Sequence, residues 1–202
     1  SGRMPALWDF ADSMTKQEDS LMEYMFRDLR ADEVNVRVAQ VGTEKDGEIP
    51  WFTCLLYKDA RCDMDILDET VGPMNWQRHH SRENANCIIA IWDENKKQWI
   101  EKEDTGTESY TEAQKGIASD SFKRAGTNWG IGRELYTAPL IFVPKLGKDG
   151  SENYKTKTVK GKVQPDVNLV CTYMKVKDKK IVGLNIENTK KRRTVFAWGE
   201  LL

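Results

Sequence analysis

The sequence predicts an α+β fold, an antiparallel sheet packed on helices. Short runs of alternating apolar and polar residues follow one another across Gly-, Asn- and Lys-containing turns, and three segments with apolar residues at three- and four-residue spacing interrupt them. Seven Trp, six Tyr and six Phe, in a chain of 202 residues that is only 39% hydrophobic, supply large anchors for a core. The order helix, two strands, helix, three strands, helix gives a β-β-α-β-β-β-α core with a C-terminal β-hairpin extension.

Ser1, Gly2 and Arg3 ahead of Met4 read as a cloning remnant. From Asp12 to Arg30, Met14, Leu21, Met22, Met25, Phe26 and Leu29 recur at helical spacing, so residues 1–31 form an N-terminal segment with an amphipathic helix. The core domain spans 32–144. Val34, Val36 and Val38 alternate with Asn35, Arg37 and Ala39, which predicts a strand with the valines inward and Arg37 outward. "TEKDG" turns the chain into a second strand, "IPWFTCLLY", with Pro50 tolerable at its start. Asp59 as a cap, Met64, Leu67 and Val71 as one face and Gly72-Pro73 as the stop predict a short helix. "NWQRHHSR", "NCIIAIWD" and "QWIEKED" are three further strands. Thr111 then caps a helix whose Ala118, Phe122, Ala125 and Trp129 share one face and which ends at Gly130 or Gly132. After Pro144 the composition shifts to Gly, Lys, Ser and Asn, so 145–166 reads as a basic flexible loop. Residues 167–202 carry the β extension, as a small satellite sheet or an addition to the main one.

Charge is divided unevenly. Residues 1–144 hold 17 Lys+Arg against 26 Asp+Glu, whereas 145–193 hold 14 against 5. A basic C-terminal third on an acidic body suits contact with a polyanion, although lysine-rich surface hairpins often serve only solubility. No apolar run approaches membrane-spanning length and no secretory signal opens the chain, so a cytoplasmic protein without membrane partners is expected. Cys54, Cys62, Cys87 and Cys171 lack CxxC spacing, and the neighbours His79 and His80 point to opposite faces of a strand. Free thiols are therefore expected in place of a zinc site.

Asp63, Asp65, Asp68 and Glu69 are the one dense carboxylate group, and a metal-dependent nuclease would need such groups to converge on its ions. Their spacing equally describes the solvated face of an amphipathic helix. "GIGREL" lacks the third glycine of a dinucleotide loop and follows a helix instead of a strand, and there is no P-loop. Lys115, Ser119 and Lys123 form one stripe of the later helix with Arg124 beside it, a stripe able to hold phosphates or simply to be solvated.

"LDETVGPMNW" (67–76), "KGIASDSFKRAGTNWGIGRELY" (115–136) and the strand containing Arg37 resemble the Rad-fifty-two/twenty-two family of single-strand annealing proteins, in the form found in phages and prophages. The blocks occur in the family's order over residues 32–137. The resemblance implies ATP-independent single-stranded DNA binding and annealing in recombination and double-strand break repair, by a homo-oligomeric ring or filament with a basic outer groove. It implies no catalytic site, cofactor or metal. It places the family's Lys-Arg pair on Lys123 and Arg124 and its early-strand arginine on Arg37, while Arg61 and Arg133 match family positions that also suit structural ion pairs; Lys115 joins them by sharing the helix stripe. A phage exonuclease and a single-strand binding protein are the implied protein partners, in a bacterial host cell. Gly126 stands where the family usually has a better helix former, and Glu134 where relatives often have an aromatic or apolar residue.

Such a protein holds a strand by its phosphates and leaves the bases outward, so Lys and Arg without base-reading partners are the suitable chemistry. Trp51, Trp76, Trp92, Trp99 and Trp198 are accordingly expected in the core or at subunit interfaces. Base stacking by an exposed Trp92 or Trp99 would instead favour a passive single-strand binding protein.

Overall fold

The computed structural model describes residues 25–107 and 113–202, with side chains from residue 116 onward in the second stretch. β1 (Asn35–Val41) and β2 (Trp51–Tyr57) pair antiparallel through a turn in which Asp46 and Gly47 take positive φ. Val36 and Val38 turn inward and Arg37 stays exposed, as the alternation predicts. On β2 the same period buries Phe52 and Cys54 and leaves Leu55 and Tyr57 exposed.

α1 (Ala60–Val71) begins where Asp59 accepts a hydrogen bond from the Arg61 amide and stops at Gly72, whose φ of 87° closes the last turn. It buries Ile66, Leu67 and also Asp63. β3 (Trp76–Ser81), β4 (Asn86–Asp93) and β5 (Gln98–Thr105) follow as an antiparallel meander. α2 (Ala113–Asn128) packs on this meander: the Trp129 indole donates to the Ile89 carbonyl at 3.0 Å, and the Arg78 guanidinium lies 4.1 Å from the Phe122 ring centre. Gly130 and Gly132, both with positive φ, lead into a 3-10 turn at Arg133–Thr137.

The α+β class holds, with the core strands in two sheets. β3, β4 and β5 form a sheet of their own, while β1 and β2 join a six-stranded sheet with four strands from later in the chain. β6 (Ile141–Pro144) occupies the free edge of β2, β9 (Leu169–Lys177) meets β1 at Asn35 and Val170, and β3 pairs with β4 instead. β10 (Lys180–Asn188) and β11 (Arg193–Gly199) complete the sheet. The C-terminal strands thus extend the main sheet. Phe52, Ile66, Phe122, Tyr154, Leu184 and Ile186 belong to one buried cluster.

Two expectations are corrected. Most of the amphipathic helix read over 12–30 lies outside the described residues, but 25–30 are not helical. Their backbone groups are taken by tertiary partners: the Leu29 amide donates to Glu134 Oε1 at 2.7 Å and the Phe26 carbonyl accepts from Lys179 Nζ at 2.9 Å. Phe26 and Leu29 are buried all the same, so their apolar spacing marked burial without helix. The flexible loop read over 145–166 contains a two-stranded hairpin, β7 (Lys155–Val159) and β8 (Lys162–Asp166). Tyr154, fully buried, anchors its base by packing on Phe52 and donating to the Ile49 carbonyl at 2.6 Å. Among the described residues no helix is long and apolar enough to cross a membrane. All four cysteines are free, three of them buried, and burial pushes the Cys54 thiol up to about 12.

Candidate nucleic-acid interface

Lys123 and Arg124 leave α2 on the side away from Phe122 and Ala125, which are buried. They line a cleft of about 440 Å³ together with Leu55 and Tyr57 at the end of β2, Lys58 just beyond it, and Gly132 and Tyr136. Lys123 Nζ donates to the Lys58 carbonyl at 3.3 Å, which sets its position without neutralising it. Arg124 is held by Asp120 one turn earlier, Nε to Oδ2 at 3.0 Å, and its Nη2 donates to Thr107 Oγ1. The hydrogen bond to Asp120 raises the guanidinium above its ordinary value, and Arg124 stays charged.

Arg61 stands at the N-terminal end of α1 with its side chain 85% exposed and 3.5 Å from Asp59. Asp59 is held below the usual carboxylate range by the Arg61 amide, with smaller contributions from the Arg61 and Lys123 charges. Asp59 therefore feels both charges, although neither it nor Arg61 lines the cleft. Arg37 faces solvent on the same side of the sheet as Leu55, its cross-strand partner. It lines a separate groove of about 270 Å³ with Lys157, Gln164 and Asn168, so it neighbours the α2 cleft without entering it. Lys115 shares the helix of Ser119 and Lys123, and its side chain lies outside the described residues. Arg133 points back along α2, with Nε and Nη2 donating to the Thr127 carbonyl at 3.2 and 3.0 Å and Nη2 also to that of Asn128. It satisfies carbonyls at the helix C-terminus, a structural role.

The carboxylates read as a possible metal set diverge. Asp63 is fully buried and its Oδ1 and Oδ2 lie 2.7 and 2.9 Å from Lys58 Nζ; Asp68 accepts from the Trp76 indole at 2.7 Å; Glu69 pairs with Arg27 at 2.7 Å. Among the described residues no three His, Cys, Asp or Glu side chains are placed to hold a metal ion.

The Lys58–Asp63 pair was not legible as such, because Asp63 falls in the acidic run of α1 and Lys58 in the strand-to-helix connection. Burial pushes the Asp63 carboxyl up to about 6, against the opposing effect of Lys58. Two glycines make room for the pair. A Cβ on Gly126 would stand 2.7 Å from Asp63 Oδ2, and one on Gly132 would overlap Lys58 Cε. Gly126 is thus required where α2 crosses α1. Glu134 is likewise buried and bonds the Leu29 amide, which explains a carboxylate at an otherwise apolar position. Tyr57 and Tyr136, 43% and 71% exposed, flank the cleft and were also missed; the outward phase of β2 is the signal that finds Tyr57. Trp92 and Trp99 instead pack edge to face with ring centres 5.6 Å apart, half-buried on the smaller sheet.

Comparison with models of known protein families matches none of them, and comparisons with curated proteins and with solved structures return no match.

Proposed function

We propose that this chain binds single-stranded DNA through its phosphates and anneals complementary strands without ATP, as a homo-oligomer. The observation that carries the reading is the cleft between α2 and the end of β2, where Lys123 and Arg124 are presented together. Cations fixed by backbone and Asp120 contacts, without a base-reading amide among the described residues that line the cleft, suit a sequence-independent grip on a phosphate backbone. The resemblance of 67–76 and 115–136 to the annealing family supports the same residues. Base pairing between the held strand and its complement then provides the driving free energy. The setting that follows is the cytoplasm of a bacterial host, in phage recombination, beside an exonuclease and a single-strand binding protein.

The test is annealing of two complementary labelled oligonucleotides without ATP or added metal, using wild type and a Lys123→Ala/Arg124→Ala variant. Acceleration by wild type and its loss in the folded variant are expected. No acceleration by wild type, or full activity in the variant, overturns the reading. A passive single-strand binding protein is the second reading, favoured by the exposed Tyr57 and Tyr136 in the same cleft, since base stacking on an aromatic contributes about 1–3 kcal/mol. Tight binding without annealing, lost on Tyr57→Leu/Tyr136→Leu, would select it.

A further inference from the structure

We propose that the single strand held at α2 continues across β1 onto the β7–β8 hairpin, where Lys155, Lys157, Lys160 and Lys162 make a second run of phosphate contacts. The proposal rests on the reading of the α2 cleft as a nucleic-acid site and extends it to the part of the chain outside the motif blocks.

The distribution of free charge points to the hairpin. Among the described residues, eight of the 14 cations over 145–193 have a carboxylate within 4.0 Å, among them Lys145 with Glu48, Lys175 and Lys177 with Glu200, Lys190 with Asp166 and Arg193 with Asp149. Lys155, Lys160 and Lys162 have no carboxylate within 4.0 Å among the described residues, and Lys157 only shares Asp166 at 3.5 Å. Lys148, Lys180 and Arg192 likewise have no carboxylate within 4.0 Å among the described residues, but they stand apart from one another along the chain, whereas three such lysines and Lys157 fall together on this one hairpin.

The hairpin is also built to present these charges. Lys155 and Lys157 occupy one face with the cross-strand partners Asp166 and Gln164, and Lys162 lies on that face opposite Val159. The other face is turned inward: Pro165 is buried, Val163 half-buried, and Thr156 Oγ1 donates to the Gly47 carbonyl at 3.2 Å. Lys160 and Gly161, both with positive φ, make a two-residue turn that puts the Lys160 ammonium at the tip.

A continuous route joins hairpin and cleft. Lys157 and Arg37 line the same groove, along the edge of β1 that is left without a strand partner beyond Asn35. Arg37 stands opposite Leu55, one inter-strand spacing of about 4.8 Å away, and Leu55 lines the α2 cleft. Arg37 is the link between the two sites. The occupant is a single strand because the route continues the one read at α2. Ammonium groups carry no base code, so contact here is sequence-independent.

The test compares wild type, a hairpin variant (Lys155→Ala, Lys157→Ala, Lys160→Ala and Lys162→Ala) and the Lys123→Ala/Arg124→Ala variant, all full length, by fluorescence anisotropy. The probes are oligothymidylates of about 6 and about 20 nucleotides, bracketing the site sizes usual for single-strand binders. Wild type should bind the longer probe more tightly and with steeper salt dependence. The hairpin variant should lose that advantage, with the log K against log salt slope shallower by about 2–3 at roughly 0.7 per lost contact, and bind the short probe as wild type does. The α2 variant should lose both probes. A hairpin variant indistinguishable from wild type on the long probe overturns this proposal while α2-dependent binding stands; wild type binding neither probe overturns the α2 reading and this proposal together. Loss of duplex affinity with unchanged single-strand affinity also overturns it and makes the hairpin a duplex site. A Lys→Gln set, which keeps the aliphatic stems, reads the same slope if the alanine set melts early.

Discussion

Gly126→Ala is expected to destabilise the protein, although removing a glycine from a helix interior ordinarily stabilises by about 1 kcal/mol. The new Cβ would stand 2.7 Å from Asp63 Oδ2, well inside ordinary contact. Asp63 has no room to yield: it is fully buried, and Lys58 Nζ holds both its oxygens at 2.7 and 2.9 Å. Relief requires α1 and α2 to separate by about 0.7 Å or the ion pair to stretch, and overpacking of that kind costs about 1–3 kcal/mol. Setting the helix-propensity gain against it, and adding the weakened buried pair, leaves a net loss of about 1–2 kcal/mol. For a chain of 202 residues this is a fall in Tm of about 2–8 °C. Gly116 is the control in the same helix. Among the described residues nothing lies within 4 Å of a Cβ there, so Gly116→Ala should raise Tm by about 2–4 °C. Thermal melts followed by circular dichroism measure both, and a Gly126→Ala protein that melts at or above wild type would refute the packing reasoning.

Removing either partner of the buried pair, by Lys58→Met or Asp63→Ala, should cost about 3–5 kcal/mol in urea denaturation, whereas Lys58→Met/Asp63→Leu should recover most of it; a double variant as unstable as the singles would show that the pair is not the unit. Because burial raises Asp63 from the ordinary 3.8 to about 6, the folded chain holds a proton there that the unfolded chain has released. The Asp63 contribution is then full below pH about 3.8 and declines as pH rises through 6, so wild type should lose stability relative to Asp63→Asn across that window. A pH-independent difference would refute the shift. Arg133→Ala should lower stability by about 0.5–1.5 kcal/mol through its lost helix-end hydrogen bonds and leave single-strand affinity unchanged; a changed affinity would return Arg133 to the binding site. Asp120→Asn keeps an acceptor for Arg124 and for the Thr107 amide while removing the charge beside the cleft, so DNA binding at low salt should tighten severalfold; weaker binding would mean that the carboxylate positions Arg124.

The local alternation of β1, β2 and the β3–β5 meander is legible in the sequence because each strand has one dry and one wet face, and α1 because its cap and its stopping glycine are chemically distinct. What period cannot show is which edge pairs with which. The division into two sheets depends on Ile141–Pro144 and Leu169–Lys177 returning to flank β1 and β2, contacts set by the whole core. The same limit explains residues 25–30, whose apolar spacing suited a helix until Glu134 and Lys179 claimed their backbone. In the candidate site, adjacent cations on a helix identified Lys123 and Arg124. Lys58 and Asp63 escaped because a buried ion pair has the composition of a surface, and Gly126 looked like a weakness because the atom it accommodates lies on another helix.

The bond between Asn35 and Val170 sets a schedule for the chain as it is made. β1 emerges early and pairs with β2 at once, but the strand that meets its other side is encoded about 135 residues later. At roughly 5–20 residues per second a ribosome needs on the order of 7–27 s to deliver it. Throughout that interval the nascent protein carries the whole strand edge open above a half-built core, so a chaperone that shields an early β-hairpin is the helper this topology calls for.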